Sequence, residues 1–297
     1  MIQVLWVIAA LVKVAFHVAF QIGKKALSTE YDPLHLSFAA TVIGIALYVP
    51  VVLVFGSYQS IITALHDPGL LALMTLSGFF NAGIFYTSLK AMQTEDVSLV
   101  TPITQTYPVL VALMEPLLIG EIKYSPFLLA AAALAALGGY GTMLNDTSDA
   151  LKPIKRFRNP GVQFAVAVAV FSAAVAVIDR TALLRSELPA YIYPLPAGMF
   201  LITAILLLLI TTGRGLPEKE IYVDRTVQGT GVAIAGMTLF TYLTFQLVTA
   251  TQATIAFLLV APATVIVGGN VYEEDGITRK LVSASLVVTA VAIATVF

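Results

Sequence analysis

Ten continuous apolar runs, each near the length of a membrane-crossing helix, leave most of this chain with lipid as its solvent. They fall at residues 2–22, 34–56, 69–91, 97–118, 125–145, 161–183, 190–212, 226–249, 251–272 and 278–297. About 20 apolar residues are needed to cross ~30 Å of hydrocarbon. The runs are continuous, whereas the strands of a transmembrane barrel would alternate. Short polar punctuation divides them, as at Asp32-Pro33, Asp67-Pro68-Gly69, Glu95-Asp96, Asn159-Pro160-Gly161 and Pro217-Glu218. Composition agrees: 59% of the 297 residues are apolar and 11% charged, against about 45–50% and about 25% in soluble domains. With a mean hydropathy of +0.92, the chain has too few polar side chains to cover a wet surface. The sequence predicts an all-α integral membrane protein with ten transmembrane helices.

Several function classes fall away at once. A net charge of -1 gives no basic footprint, so nucleic acid is not an expected partner. Without cysteine there is no disulfide, thiolate metal site or Cys nucleophile. The start, Met1 to Trp6, lacks the cationic flank of a cleaved signal peptide, so the first run is expected to stay in the membrane. His17, His35 and His66 are scattered and the acids lie mostly at span ends. No H-E-x-x-H pair, acid cluster or nucleophile–base pattern points to an enzyme, and no metal or cofactor is expected. No ATP-binding motif is visible, so transport energy would come from a gradient or from the substrate's own.

The spans group into two halves around residues 146–160, a hydrophilic stretch carrying Lys152, Lys155, Arg156 and Arg158. It reads as a solvated linker, with lipid headgroup contact as the alternative. Residues 1–145 then form a first five-helix repeat and 161–297 a second. Tyr86-Thr87-Ser88-Leu89 aligns with Tyr242-Leu243-Thr244-Phe245, Pro108 with Pro262, and Glu121 with Glu274, at offsets of 156, 154 and 153. Five spans per repeat force the second half to enter the membrane upside down. Inverted repeats place a site near the midplane that can open to either side, the architecture of a carrier.

In this pattern the chain resembles the ten-span drug/metabolite transporter superfamily, specifically proteins with two EamA-type domains. From the fourth span into the residues just after it the chain reads Tyr107-Pro108-Val109-Leu110-Val111-Ala112-Leu113-Met114-Glu115-Pro116-Leu117-Leu118-Ile119-Gly120-Glu121, similar to that family's proline-to-LGE stretch. The second half keeps Pro262 and Glu274 without the glycine before the acid. Two features depart from the family. No arginine occurs early in the second span, around Leu36 to Ala40, and Lys13-Val14-Ala15 replaces the Trp-Gly-Ser-like stretch of the first. The resemblance implies secondary transport of a small organic metabolite, often outward, in the cell membrane, by a monomer or homodimer. A channel or an integral membrane enzyme acting on lipid is the alternative.

Of the 16 Lys and Arg residues, twelve lie in odd-numbered loops and three, Lys123, Arg180 and Arg185, in even-numbered ones. The remaining one is Lys13, inside the first span. The bias favours a cytoplasmic midloop with both termini outside, opposite to the usual drawing of ten-span relatives.

Lys13 is the least expected residue, about eleven positions from either end of its span and roughly 16 Å from water. Burial there costs about 2.5–3.5 kcal/mol on insertion scales, and His17 lies one turn on, on the same face. One role is an internal pair with an acid of another helix, Glu115 being a candidate. The other is a cavity-facing cation that binds a substrate carboxylate or titrates during the cycle. Buried ion pairs are poor stabilisers, which favours the second role. An anionic or zwitterionic solute, such as an amino acid, follows from it.

Glu115, three residues inside its span end, reads equally as snorkelling to the interface or as a coupling group beside Lys13 and His17. Asp179-Arg180 closes the sixth span and reads as interfacial. In the fourth span Thr101, Thr104, Gln105 and Pro108 share a face. There the prolines Pro102 and Pro108 free carbonyls that lipid cannot satisfy. Asn81, Tyr86 and Ser88 on the third span, with Thr241, Tyr242, Thr244 and Gln246 on the eighth, could complete a cavity lining. Interhelical hydrogen-bond glue is the equal alternative for the set, at about 0.6 kcal/mol per contact. Small residues, Ala130–Ala135, Gly138, Gly139 and Gly141 in the fifth span and Ser283, Ala284, Ser285, Ala290 and Ala292 in the tenth, predict closely packed scaffold helices with a dimer contact as a further use.

Overall fold

The computed structural model describes residues 2–27, 30–55, 62, 66–94, 97–120, 123, 125–143, 151, 155–186, 203–209, 217–264, 267 and 277–296. Every regular element among them is a helix: α1 (Ile2–Leu27), α2 (Pro33–Phe55), α3 (Pro68–Thr94), α4 (Val97–Thr104), α5 (Tyr107–Leu118), α6 (Pro126–Met143), α7 (Pro160–Ser186), α8 (Glu220–Val223), α9 (Arg225–Leu247), α10 (Ala250–Phe257) and α11 (Ile277–Val296). Four segments are long and apolar enough to cross a membrane: Val4–Gly23, Pro68–Ala91, Pro160–Ser186 and Arg225–Leu247. Shorter apolar helices cover Leu34–Tyr48, Pro126–Thr142, Ala250–Thr264 and Val282–Val296. Of the run at 190–212, residues 203–209 are described and are helical. Leu5, Ile8, Leu11, Leu53, Leu117 and Leu209 are exposed, as lipid-facing side chains are.

The polar punctuation works as helix starts. Proline stands at the first residue of α2, α3, α6 and α7, where its missing N–H costs nothing and its fixed φ suits the helix. The residue before it supplies the cap. Asp32 Oδ1 accepts from the backbone N–H of Leu34 at 2.9 Å and of His35 at 3.3 Å. Asp67 Oδ1 does the same for Gly69 and Leu70, and Ser125 Oγ for Leu128. Asp224 caps α9 through Thr226 and Val227.

Two helices are broken where prolines remove a donor. Between α4 and α5 the ladder tightens into turns, with Gln105 N–H donating to Pro102 O and Thr106 N–H to Ile103 O. Pro108 follows. After α10, Leu258 and Leu259 donate to Ile255 O and Ala256 O, and Pro262 follows in the resumed helix at 260–264.

The chain forms two compact units, each drawing on both halves of the sequence: Thr87–Val177 with Val248–Phe297, and Ile2–Tyr86 with Ile178–Leu247. In the first, α6 packs against α11 through the small residues singled out above. A Cβ on Gly138 would stand 2.7 Å from Ser283 O, and one on Gly141 2.5 Å from Ser283 Oγ. Ala131, Ala132, Ala135, Val287, Ala290 and Ala294 share one buried cluster with Ala112, Ile255 and Leu258.

In the second unit α1 runs antiparallel to α9. Gly23 meets Thr230, Gly236 meets Phe16, and the Phe16 and Phe240 rings stack with centroids 6.0 Å apart. α2 closes on α9 where Gly231 meets Ile43.

Candidate functional site

The second unit holds most of the buried polar chemistry. Lys13 is 6% exposed, and its Nζ lies 3.1 Å from His17 Nδ1. His17 Nε2 lies 3.1 Å from Gln21. Residues four apart share a helix face, so α1 carries a short polar row through an apolar helix. Which ring nitrogen of His17 donates and which accepts follows its tautomer: a charged Lys13 needs Nδ1 as acceptor, whereas the Gln21 amide nitrogen beside Nε2 needs Nε2 as acceptor.

Asp179 is the group that sequence reasoning misplaced. Its expected position at the interface is corrected by the structure: α7 continues to Ser186, and Asp179 is 3% exposed. Ser77 Oγ of α3 donates to Asp179 Oδ1 at 2.6 Å, and Tyr242 of α9 hydrogen-bonds the same carboxylate. Asn81 Nδ2 donates to Ser77 O at 2.9 Å and approaches Ser77 Oγ at 3.4 Å. The neighbouring Arg180 turns its guanidinium to the carbonyl oxygen of Phe245. Tyr242 and Asn81, both expected in the lining, are thus brought together around Asp179, which the sequence placed at the interface, and Ser77, which it did not single out.

In the first unit Glu115 is fully buried, which corrects the snorkelling expectation. Oε1 accepts from the Ala250 N–H at 2.5 Å, and Oε2 from the Thr251 N–H at 2.8 Å and the Thr251 hydroxyl at 2.6 Å. Both oxygens therefore serve the start of α10. Thr249 completes that start with a capping box to Gln252.

The other expected residues divide by surroundings. The hydroxyls of Thr241 and Thr244 donate to Met237 O and Phe240 O of their own helix, which satisfies them locally. Thr104 and Gln105 are half-buried and Pro108 is buried, with Gln105 packed over Gly139. Ser88 is half-buried, and Tyr86 and Gln246 are exposed. The side chain of Thr101, and the whole of Glu95, Asp96, Glu121, Glu273 and Glu274, lie outside the described residues.

Two polar contacts tie loops beyond the spans. Arg185 Nε donates to Asp67 Oδ2 at 2.7 Å and Nη2 to Oδ1 at 2.8 Å. These hydrogen bonds hold the Asp67 carboxyl below its ordinary range. Tyr31 Oη donates to Asp224 Oδ2 at 3.3 Å, while backbone N–H groups, that of Val227 first, keep Asp224 low.

Polar groups are thus buried inside apolar helices. Residues 3–144 match the EamA-like transporter family. Members of that family are transporters rather than enzymes. The match to that part of the chain and the apolar helices point to an integral membrane protein. A solved structure titled "Crystal structure of protein" shares the fold with a TM-score of 0.76. It is 16% identical over 98% of this chain and 97% of its own, a likeness that speaks for the fold alone. No curated protein matches the sequence.

Proposed function

We propose that this EamA-like protein is a secondary transporter that moves a small anionic or zwitterionic metabolite, such as an amino acid, across the cell membrane by alternating access. The observation that carries the reading is Lys13, a buried cation in α1 inside the matched region, with His17 beside it. Holding a lysine there costs about 2.5–3.5 kcal/mol, and a carboxylate arriving with the substrate offsets that cost. Export is the direction the family resemblance implies.

Ten spans in two inverted five-helix repeats, 1–145 and 161–297, supply the alternation. The broken helices support the repeat: Gln105–Thr106 precedes Pro108 as Leu258–Leu259 precedes Pro262, and interrupted helices in matching positions flag transporter sites. Loop contacts support the crossing order. Asp67 and Arg185 belong to the second and sixth loops, Tyr31 and Asp224 to the first and seventh. Each pair is separated by an even number of spans and so falls on one side.

Counterflow in proteoliposomes against a panel of small metabolites tests the reading. Exchange of a carboxylate-bearing solute is expected, with loss in Lys13→Met. Ion conductance without any counterflow would replace the carrier with a channel, and Lys13→Met with full exchange would remove the site.

A further inference from the structure

A buried carboxylate in a membrane bundle needs a reason to be there, since apolar packing would be cheaper. At Asp179 the company is informative: two hydroxyls, Ser77 and Tyr242, and no direct cation bond among the hydrogen bonds described. A lysine or arginine in their place would fix the carboxylate in its charged form. Hydroxyls donate or accept by rotating about one bond. They can donate to an ionised Asp179 and accept from a protonated one with no heavy atom moving. Asn81 backs the cluster, since its amide holds the Ser77 carbonyl at 2.9 Å and lies 3.4 Å from Ser77 Oγ.

The ionisable groups around Asp179 leave this arrangement intact. On its own helix Arg180 donates to Phe245 O. From α3 come Ser77 and Asn81, which do not titrate. The segment 203–209 carries no ionisable side chain, and its Thr203 donates to Gly78 O. From α9 comes Tyr242. The antiparallel pairing of α1 with α9, Gly23 against Thr230 and Phe16 against Gly236, sets Lys13 within about one turn of the level of Tyr242 and His17 about one turn further away.

We propose that Asp179, held between Ser77 and Tyr242, is the residue that takes up and releases the coupling proton of the transport cycle. On uptake a proton bonds to a carboxylate oxygen, and the new O–H donates to a hydroxyl oxygen that had been donating to it. The Ser77 hydroxyl can make this turn, to a carbonyl of its own helix. Release reverses both rotations, and no other reactant is consumed. The proposal rests on the carrier reading above and adds to it the ion and its site.

The test joins infrared difference spectroscopy with transport, both on the full chain in liposomes. Between mildly alkaline and mildly acid pH, with no solute present, the wild type should gain the carbonyl stretch of a protonated carboxylic acid. Asp179→Asn should lose that band, and Asp179→Glu should restore it at a shifted frequency. Tyr242→Phe keeps the ring and removes one hydroxyl, so it should move the midpoint by about 1–2 pH units; this variant also covers a failure of Asp179→Asn to fold. For the solute found by counterflow, Asp179→Asn should lose accumulation driven by a pH gradient, and whatever exchange remains should no longer depend on pH. A wild type that exchanges solute while the band stays fixed overturns this proposal alone. So does gradient-driven accumulation by Asp179→Asn at the wild-type level. A band that titrates in a wild type that exchanges no solute overturns the carrier reading, and the coupling role with it.

Discussion

Replacing Glu115 should weaken the fold without touching the pH dependence of transport. The first four N–H groups of a helix have no partner within it, and at α10 all four can be traced. Ala250 and Thr251 donate to the two oxygens of Glu115. Gln252 donates to Thr249 Oγ1 and the Thr249 N–H to Gln252 Oε1. Glu115→Gln keeps one oxygen and turns an NH2 group against the other donor. That removes a hydrogen bond to a charged group, about 1.5–3 kcal/mol, and a negative charge at a helix N-terminus, about 0.3–1 kcal/mol. The expected loss is on the order of 2–4 kcal/mol. Glu115→Ala removes the acceptors of both backbone donors and should cost more. Thr249→Ala, which removes an ordinary cap, should cost about 0.5–2 kcal/mol. Thermal unfolding of the purified variants in detergent measures the order Glu115→Ala, Glu115→Gln, Thr249→Ala. A Glu115→Gln protein as stable as wild type, or one whose transport shifts its pH profile, would refute the capping argument and return Glu115 to a coupling role.

Further outcomes are open to measurement. Lys13→Met should reduce counterflow of carboxylate-bearing solutes about 10–100-fold, the worth of a charge-assisted hydrogen bond, and spare neutral solutes that the carrier also accepts. Gly138→Ala should destabilise by about 1–3 kcal/mol, because its methyl would stand 2.7 Å from a backbone oxygen and 2.9 Å from a backbone nitrogen of α11. Gly229→Ala, with nothing within 4 Å, should be neutral or gain up to about 1 kcal/mol of helix propensity; detergent unfolding midpoints compare the two. The Asp67–Arg185 contact, with side chains 27% and 52% exposed, should be screened by salt. Because Arg185 lowers the Asp67 carboxyl, its contribution is full above the ordinary aspartate range and fades as pH falls through the depressed value. Asp67→Asn should therefore reduce the difference between low-salt stability at neutral and at strongly acid pH, read by the same unfolding assay, with the share due to Asp224 remaining.

What was legible in the sequence is what depends on neighbours along the chain. Asp32-Pro33 and Asp67-Pro68 announce helix starts because cap and helix lie within four residues. Pro108 and Pro262 announce breaks because a missing donor acts one turn away. Close packing of α6 on α11 was visible too, because small residues at helical spacing serve a neighbour whichever helix it proves to be. Glu115 and Asp179 were misread because their partners lie far along the chain, Thr251 for the one and Ser77 for the other. Hydropathy closes a span where apolar residues thin out. It does not register that Arg185 is held by Asp67 and that α7 runs on to Ser186.

The contrast between Lys13 and Asp179 shows the physical reason most sharply. Lys13 stands alone in an apolar run, so its cost is visible in the sequence. Asp179 is followed at once by Arg180, and adjacent opposite charges look self-neutralising, as a span end would be. On a helix, consecutive residues do not face each other. Asp179 points to Ser77 and Tyr242 while Arg180 points to the Phe245 carbonyl. Each charge answers to a different neighbour, and among the described residues the carboxylate's side-chain hydrogen bonds are with hydroxyls. An acid so placed can lose or gain its proton without breaking an ion pair. That freedom is why exchanging Asp179 for asparagine should uncouple the carrier, whereas exchanging Glu115 for glutamine should merely loosen its fold.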